Sequence, residues 1–258
     1  MPSPMTPRSI WNGTVTFGLV NVPVKVYSAT ESKSIHFHQV HLADGARIEH
    51  RRVCPKENKQ VPNEEIVKGY ELSSGGIVVL SKDEIAAAGG ENAKLIDVEH
   101  FVPGEDIDPV FYEKTYYLGA GDEGEDAFRL LRKALEQSGK VAIGRWVFHD
   151  RERLVAVRPL DGVLGMATLN FHDEVVEPDE LDLPSPQKNP TDRELEMAER
   201  LVNSLKAKFE PHKYADSYRE AVLQVIERKK AGEDIDVAEP EPKEEPDDLA
   251  AALEASLG

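Results

Sequence analysis

Three histidines near the start of the chain have a spacing that suits a metal ion. His36, His38 and His41 fall within a run that we predict to be a β-strand over residues 34–41. Because alternate residues of a strand share a face, His36 and His38 lie on one side and His41 on the other. Imidazole nitrogens are zinc ligands, and a three-histidine site with an open position activates water. A metal-dependent hydrolase is therefore one hypothesis.

Other sequence motifs typical of catalysis are missing. The chain has no His-Glu-x-x-His, no Ser-His-Asp order and no glycine-rich phosphate loop. Its single cysteine, Cys54, excludes an internal disulfide and a multi-cysteine metal site within one chain. We therefore expect a protein that binds its target without catalysis and without a cofactor.

Charge is distributed unevenly along the chain, whose net charge is −17 at pH 7. Residues 1–60 carry +4, residues 131–171 carry +3 and residues 200–230 carry +4, whereas residues 231–258 carry −9. A basic surface can therefore coexist with an acidic exterior, so the overall charge does not exclude a nucleic-acid partner.

The sequence also bears on location. No apolar run approaches the roughly 20 residues of a membrane span, and the first seven residues lack the apolar segment of a signal peptide. We expect a cytoplasmic protein.

The elements that would position a site begin with two strands. Apolar residues alternate over residues 10–17 and again over residues 20–27, with Gly18 and Leu19 between them. This pattern predicts a hairpin. Since Pro23 has no backbone N–H to donate, we expect the second strand to be at a sheet edge or bulged there.

Further short runs predict a mainly β core. Many antiparallel strands at this spacing are typical of a barrel or a sandwich. Helices are predicted after a capping box at Ser81 and over residues 125–138. The remaining strands are predicted over residues 34–41, 47–54, 77–80, 95–101, 114–118, 141–148, 153–158 and 163–171.

The chain changes character after residue 177. Prolines among acidic residues predict a linker over residues 177–190, and capping boxes at Thr191 and Ser217 predict two amphipathic helices. The acidic end has the composition of disorder, but it closes on a short helical stripe of Leu249, Leu253 and Leu257. We expect a core over residues 1–189, a helical region over 190–232 and an acidic tail over 233–258.

Several strings in this order resemble the bacterial Ku proteins over roughly residues 8–232. They are SIWNGTVTFGLVNVPVKVYSAT at 9–30, IHFHQVH at 35–41, RRVCP at 51–55, EIVKGYE at 65–71, AIGR at 142–145, LVAVRP at 154–159 and FEPHKYADSY at 209–218.

The resemblance implies a fold and a function. It implies a Ku-type β-barrel core with a helical C-terminal region and without the N-terminal α/β domain of eukaryotic Ku. It implies a ring-forming homodimer that threads double-stranded DNA ends during non-homologous end joining, the route of double-strand break repair. It also implies recruitment of ATP-dependent DNA ligase D, and association with the nucleoid when DNA is bound.

The resemblance also suggests site residues. A protein that holds any broken end should contact phosphates, which carry no sequence information. The basic candidates for DNA are Lys25, Arg47, Arg51, Arg52, Lys68, Arg145, Arg153 and Arg158. On a regular strand Arg51 and Arg52 would face opposite ways. The candidates for partner binding are Phe209, Pro211, Tyr214, Asp216 and Tyr218.

Two departures from the family pattern limit what is carried over. Many relatives have a Cys-x-x-Cys pair where this chain has Cys54-Pro-Lys-Glu57, so a metal or redox role there does not apply. Some relatives end in a lysine-rich tail, whereas this acidic tail should repel DNA. We expect it to limit sliding on DNA or to bind a protein. A β-barrel scaffold that binds only proteins remains the second alternative.

Overall fold

The computed structural model describes residues 8–88, 94–149, 151–160, 162–182 and 191–235. The chain divides into two compact units, one of residues 1–33 and 38–177, the other of residues 34–37 and 178–258. Within the described residues, no helix is both long enough and apolar enough to cross a membrane.

The first unit contains eleven strands and two α-helices among its described residues. The strands are β1 (Trp11–Phe17), β2 (Val20–Ser28), β3 (Val53–Cys54), β4 (Lys59–Gln60), β5 (Lys68–Glu71), β6 (Ile77–Leu80), β7 (Leu95–Pro103), β8 (Tyr112–Ala120), β9 (Lys140–Val147), β10 (Glu152–Leu160) and β11 (Val163–Leu169). The helices are α1 (Lys82–Ala88) and α2 (Glu125–Ser138).

Seven of these strands form a closed barrel in the order β1-β2-β8-β11-β10-β9-β7. The predicted first hairpin is confirmed: β1 and β2 pair antiparallel from Trp11 opposite Val26 to Phe17 opposite Val20. Gly18 has a φ of +59°, which the first position of this two-residue turn accommodates because glycine has no Cβ. A parallel pairing of β1 with β7 closes the barrel.

The expectation that β2 is at a sheet edge or bulged at Pro23 is wrong, since β2 lies between β1 and β8 and its pairing with β1 is regular through Pro23. Its pairing with β8 begins at Val24, one residue after Pro23. Pro23 therefore needs no N–H on the β8 side. Its carbonyl accepts a hydrogen bond from the backbone N–H of Gly121 at 2.8 Å.

The barrel interior is an apolar core built from alternate strand residues. Val22, Val24 and Val26 of β2 are buried there, as the period-two pattern predicts. Trp146 of β9 is fully buried, with its ring stacked on Phe148 at 4.4 Å between centroids and edge-on to Trp11 at 5.7 Å. Helix α2 contributes Leu131 and Leu135 to the same core.

A smaller apolar cluster lies on the outer face of β9, β10 and β11. Val141, Ala156 and Leu169 are buried there against partly buried side chains that include Ile107 and Phe111. The single-turn helices Gly104–Asp106 and Pro109–Phe111 precede β8 and supply this cover.

Two of the predicted strands are wrong. Residues 34–41 form no strand, and Val40 makes only an isolated bridge to Arg47. Of residues 47–54 only β3 is a strand, paired with β4. Neither face of these two runs is buried. Without packing against a core, the alternation of apolar residues does not favour a strand.

The second unit contains two described α-helices, α3 (Asp192–Ser204) and α4 (Ser217–Lys230), separated by the single-turn helix Pro211–Lys213. The capping box at Thr191 is confirmed, with Thr191 and Glu194 bonded reciprocally. The box predicted at Ser217 is wrong. Asp216 is the N-cap instead, and its carboxylate accepts from the Arg219 N–H at 2.9 Å. The stripe of Leu249, Leu253 and Leu257 lies outside the described residues.

Candidate functional site

Half of the candidate DNA contacts lie in residues 38–88, which we call the hairpin segment. Residues 47–59 carry five Lys or Arg against two Glu. Arg47 is exposed and makes no ion pair with another residue that the structure describes. The guanidinium of Arg51 lies 3.4 Å from a Glu49 carboxylate oxygen, and that of Arg52 donates to the Asn63 side-chain oxygen. Lys68 is exposed at the start of β5.

The predicted opposition of Arg51 and Arg52 does not apply, because neither residue belongs to a strand. Their side chains are directed by local partners instead, Glu49 for Arg51 and Asn63 for Arg52. All four candidates in the hairpin segment are exposed, so a phosphate oxygen can approach their charged ends from solvent, although that of Arg51 lies beside Glu49.

On the barrel, Arg145 is held between two carboxylates. Its Nε donates to Glu99 Oε1 at 2.8 Å and its Nη1 donates to Glu152 Oε1 at 2.6 Å. These hydrogen bonds, the one to Glu99 first, raise the pKa of Arg145 above its ordinary value. A phosphate would have to compete with both carboxylates for this guanidinium.

Two other barrel candidates are also paired with acids. Lys25 Nζ donates to Asp122 Oδ1 at 2.7 Å, and this bond raises the pKa of Lys25. Arg153 Nη1 donates to Glu113 Oε2 at 3.1 Å, and its side chain is only 23% exposed. Arg153 alternates with Val155 and Val157, so it faces the barrel mouth.

Arg158 differs from these three. It is exposed near the end of β10, opposite Gly165 of β11, and it has no ion pair among the residues described. Arg158 is therefore the barrel candidate best placed to meet an external anion.

The histidines do not converge on a metal site. Across the ranges that the structure describes, no three His, Cys, Asp or Glu side chains come close enough to hold a metal ion. His41 Nδ1 instead lies 2.9 Å from Asp44 Oδ1, within a local turn. Since residues 34–41 form no strand, the shared face that suggested ligation is not present.

The partner-binding candidates lie together in sequence between α3 and the start of α4. Phe209 and Tyr214 are each 72% exposed, and their rings pair at 5.6 Å between centroids. Tyr218 is 79% exposed, and Pro211 begins the single-turn helix between them. These three aromatic rings are therefore largely exposed and are not buried by packing within the described chain. Asp216 has a structural role, since it caps α4.

The sequence reasoning missed the most unusual feature of the hairpin segment. None of its described side chains is buried, although it contains many large apolar residues. The exposed ones are Val40, Leu42, Ile48, Val53, Ile66, Val67, Tyr70, Leu72, Ile77, Val78, Val79 and Leu80. The run Ile77–Leu80, apolar on both strand faces, was the available signal, because such a strand needs cover on both sides.

Comparison with known proteins identifies the family. The profile described as the Ku70/Ku80 beta-barrel domain matches residues 16–197, which include the last two residues of β1 and the other six strands of the closed barrel in full.

Similar proteins from three organisms cover nearly the whole chain. All three are named Non-homologous end joining protein Ku. The protein of Anaeromyxobacter sp. is 46% identical over 97% of this chain and 85% of its own length. That of Archaeoglobus fulgidus is 40% identical over 97% and 98%, and that of Bacillus subtilis is 36% identical over 97% and 81%. The chain belongs to the Ku family.

Proposed function

We propose that this protein binds the ends of double-stranded DNA without sequence preference, as a ring-shaped homodimer in non-homologous end joining. Two observations support a role in non-homologous end joining: the name that the relatives share, and the Ku-type barrel. In this proposal the protein makes and breaks no bond, and it acts in the cytoplasm, on the nucleoid when DNA is bound.

The lack of burial in the hairpin segment is the observation that supports a ring-shaped homodimer. The hairpin of β5 and β6 is exposed at every residue, yet it includes Ile77, Val78, Val79 and Leu80. A two-stranded hairpin without a packed face is marginally stable in water. Large exposed apolar patches mark interaction sites. A second copy of the chain would cover this surface and close a ring.

Basic residues of the same segment would then contact DNA. Arg47, Arg51, Arg52 and Lys68 are exposed in it, and Arg158 offers a fifth positive charge from the barrel. Neutralising phosphates releases counterions, so the affinity should fall steeply with salt. The carboxylates beside Lys25, Arg145 and Arg153 make these three weaker candidates, and the Glu49 carboxylate 3.4 Å from Arg51 makes Arg51 a weaker candidate than Arg47.

The helical region would recruit ATP-dependent DNA ligase D. Phe209, Pro211, Tyr214 and Tyr218 are exposed, and aromatic residues are enriched at protein interfaces. Asp216 would contribute by fixing the start of α4, which carries Tyr218. Tethering the ligase raises its local concentration at the bound end. We assign the core to residues 1–189, recruitment to 190–232 and the acidic tail to 233–258.

Competition between DNA topologies tests the proposal. Labelled linear duplex bound to the protein should be displaced by unlabelled linear duplex and much less by closed circular duplex of the same sequence, because a threaded ring needs an end. Equal displacement by the two forms would contradict it. No displacement by either form, with a protein partner still bound, would favour the scaffold that binds only proteins.

A further inference from the structure

Within the second unit, residues 34–37 and the start of α4 enclose a cavity of about 190 Å³. It is lined by Ser34, Ile35, Phe37, Asp216, Tyr218, Arg219 and Val222. Small-molecule sites commonly enclose about 300–1,000 Å³. A cavity of this size suits one or two side chains of a peptide better than a cofactor.

The rim of the cavity combines apolar rings with one negative and one positive side chain, Asp216 and Arg219. The Asp216 carboxylate accepts from the Arg219 backbone N–H as the cap of α4, so the Arg219 guanidinium is the charged group left to meet an incoming carboxylate. Phe37 is 71% exposed and Tyr218 79% exposed, so both rings offer apolar surface to an incoming chain. The Arg219 side chain makes no ion pair with any residue that the structure describes. The cavity therefore fits a segment that carries both apolar side chains and carboxylates.

The described end of the chain turns back toward α4. Gly232 has a φ of +84°, a left-handed conformation that ends the helix, and the Glu233 N–H donates to the Arg228 carbonyl at 3.0 Å. The Arg228 Nε also donates to the Glu233 carboxylate at 2.8 Å. The first acidic residue of the tail is thus already fastened to α4.

The remaining tail has the matching chemistry and sufficient length. Residues 236–258 carry eight acidic residues and one lysine, and Leu249, Leu253 and Leu257 recur at intervals of four. Helix α4 has 14 residues, which is about 21 Å. Residues 236–248 can span about 43 Å when extended, so residue 249 can reach the first turn of α4.

We propose that the C-terminal segment 247–257 docks on this cavity in the same molecule, with its leucines against Phe37 and Tyr218 and its carboxylates facing Arg219. The docked tail covers Tyr218, so it competes with the protein partner for the helical region. That consequence rests on the proposed function, whereas the docking itself does not.

Hydrogen–deuterium exchange of the full chain tests the docking. Replacing the stripe (Leu249→Ser, Leu253→Ser, Leu257→Ser) should speed exchange in residues 34–37 and in the first turn of α4 by at least about fivefold, the lower end of typical coupling between sites. A matched control on the opposite face of the same segment, Ala251→Ser with Ala255→Ser, should leave these rates at the wild-type value.

A charge reversal provides the second arm. Arg219→Glu should speed exchange in residues 34–37 as the leucine variant does, and the wild-type protection should weaken as salt is raised. Arg200→Glu, on α3 beside Glu196, is the control and should leave exchange in residues 34–37 at the wild-type rate. Wild-type exchange rates in both the leucine and the Arg219 variants would overturn the proposal, and so would protection that rises with protein concentration, since that indicates docking on another copy.

Binding of ligase D to the same full-length proteins separates the two proposals. If the tail competes, the leucine variant should bind the ligase several-fold more tightly than wild type. If no protein binds the ligase while the exchange difference remains, recruitment is wrong and docking stands. If the ligase binds all proteins equally and no exchange difference is seen, docking is wrong and recruitment stands.

Discussion

The barrel and the hairpin segment both contain strands rich in β-branched apolar residues, but they differ in what those strands bury. In β2 three valines lie in a closed core, whereas in β6 a strand that is apolar at all four residues is exposed throughout. The barrel is complete within one chain, because β1 and β7 close it and α2 adds to its core. Among the described residues the hairpin segment buries no side chain, so it has no apolar core of its own to stabilise it.

Basic residues of the two regions also differ in their partners, although Arg51 of the hairpin segment pairs with Glu49 and Arg158 of the barrel has no ion pair among the described residues. Arg145 and Arg153 on the barrel are held by Glu99, Glu152 and Glu113. Arg47 in the hairpin segment has no such partner among the described residues. Basic side chains already paired within the fold stabilise it, whereas unpaired ones are available to a ligand. Residue type alone therefore does not define a phosphate contact.

The largest expected effect is on barrel stability. Trp146→Ala should lower the free energy of unfolding by about 3–5 kcal/mol, because it removes a fully buried ring from the centre of the core. Leu19→Ala, at a fully exposed apolar residue, should change it by less than about 0.5 kcal/mol. Urea unfolding followed by circular dichroism measures both. A small effect of Trp146→Ala would mean that the barrel is not the stable part of the chain.

The next effect concerns assembly. Ile77→Asp with Val79→Asp should raise the dimer dissociation constant at least about 100-fold, since each unpaired charge buried in an interface costs several kcal/mol. Analytical ultracentrifugation measures it, and near-ultraviolet circular dichroism should show an intact barrel. Leu130→Asp, the same change at an exposed residue of α2, is the control. An unchanged dimer in the double variant would remove the hairpin segment from the interface.

A smaller effect should separate the two groups of arginines. Arg47→Ala should weaken binding of linear DNA by about 3–10-fold and reduce the slope of log affinity against log salt by about 0.9, the loss of one phosphate contact. Arg145→Ala should leave that slope unchanged, because its guanidinium is committed to Glu99 and Glu152. Fluorescence anisotropy at several salt concentrations measures both. If Arg145→Ala reduced the salt slope and Arg47→Ala did not, Arg145 and not Arg47 would be the residue that contacts DNA.

The smallest effect is on the helix within the hairpin segment. Hydrogen bonds from the Ser81 backbone N–H and hydroxyl lower the pKa of Glu84 below its ordinary value of 4.5. A lowered pKa means that the capping interaction stabilises α1 above about pH 4.5 and is lost as the pH falls through the folded value. Glu84→Gln should therefore speed amide exchange in α1 more at pH 7 than at pH 3. An equal effect at both pH values would show that charge plays no part in the cap.

Much of the local structure could be predicted from the sequence. The β1–β2 hairpin, β6, α2 and the cap at Thr191 follow from periodicity and capping residues close in sequence. The cap of α4 was predicted one residue late, since Asp216 and Ser217 are both good caps and only the local backbone chooses between them. The strand predicted over residues 34–41 failed because alternation without burial does not specify a strand.

The sequence by itself determined the family, the segregation of charge and the alternation that fills the barrel. Only the tertiary structure decided that β1 pairs in parallel with β7, about 80 residues away, and that Glu99 and Glu113 hold Arg145 and Arg153. It also decided that the apolar hairpin segment is left uncovered. The alternation of apolar residues and the helix caps are set by near neighbours in the chain, whereas strand pairing, burial and ion pairing depend on which distant segments the closed barrel brings together.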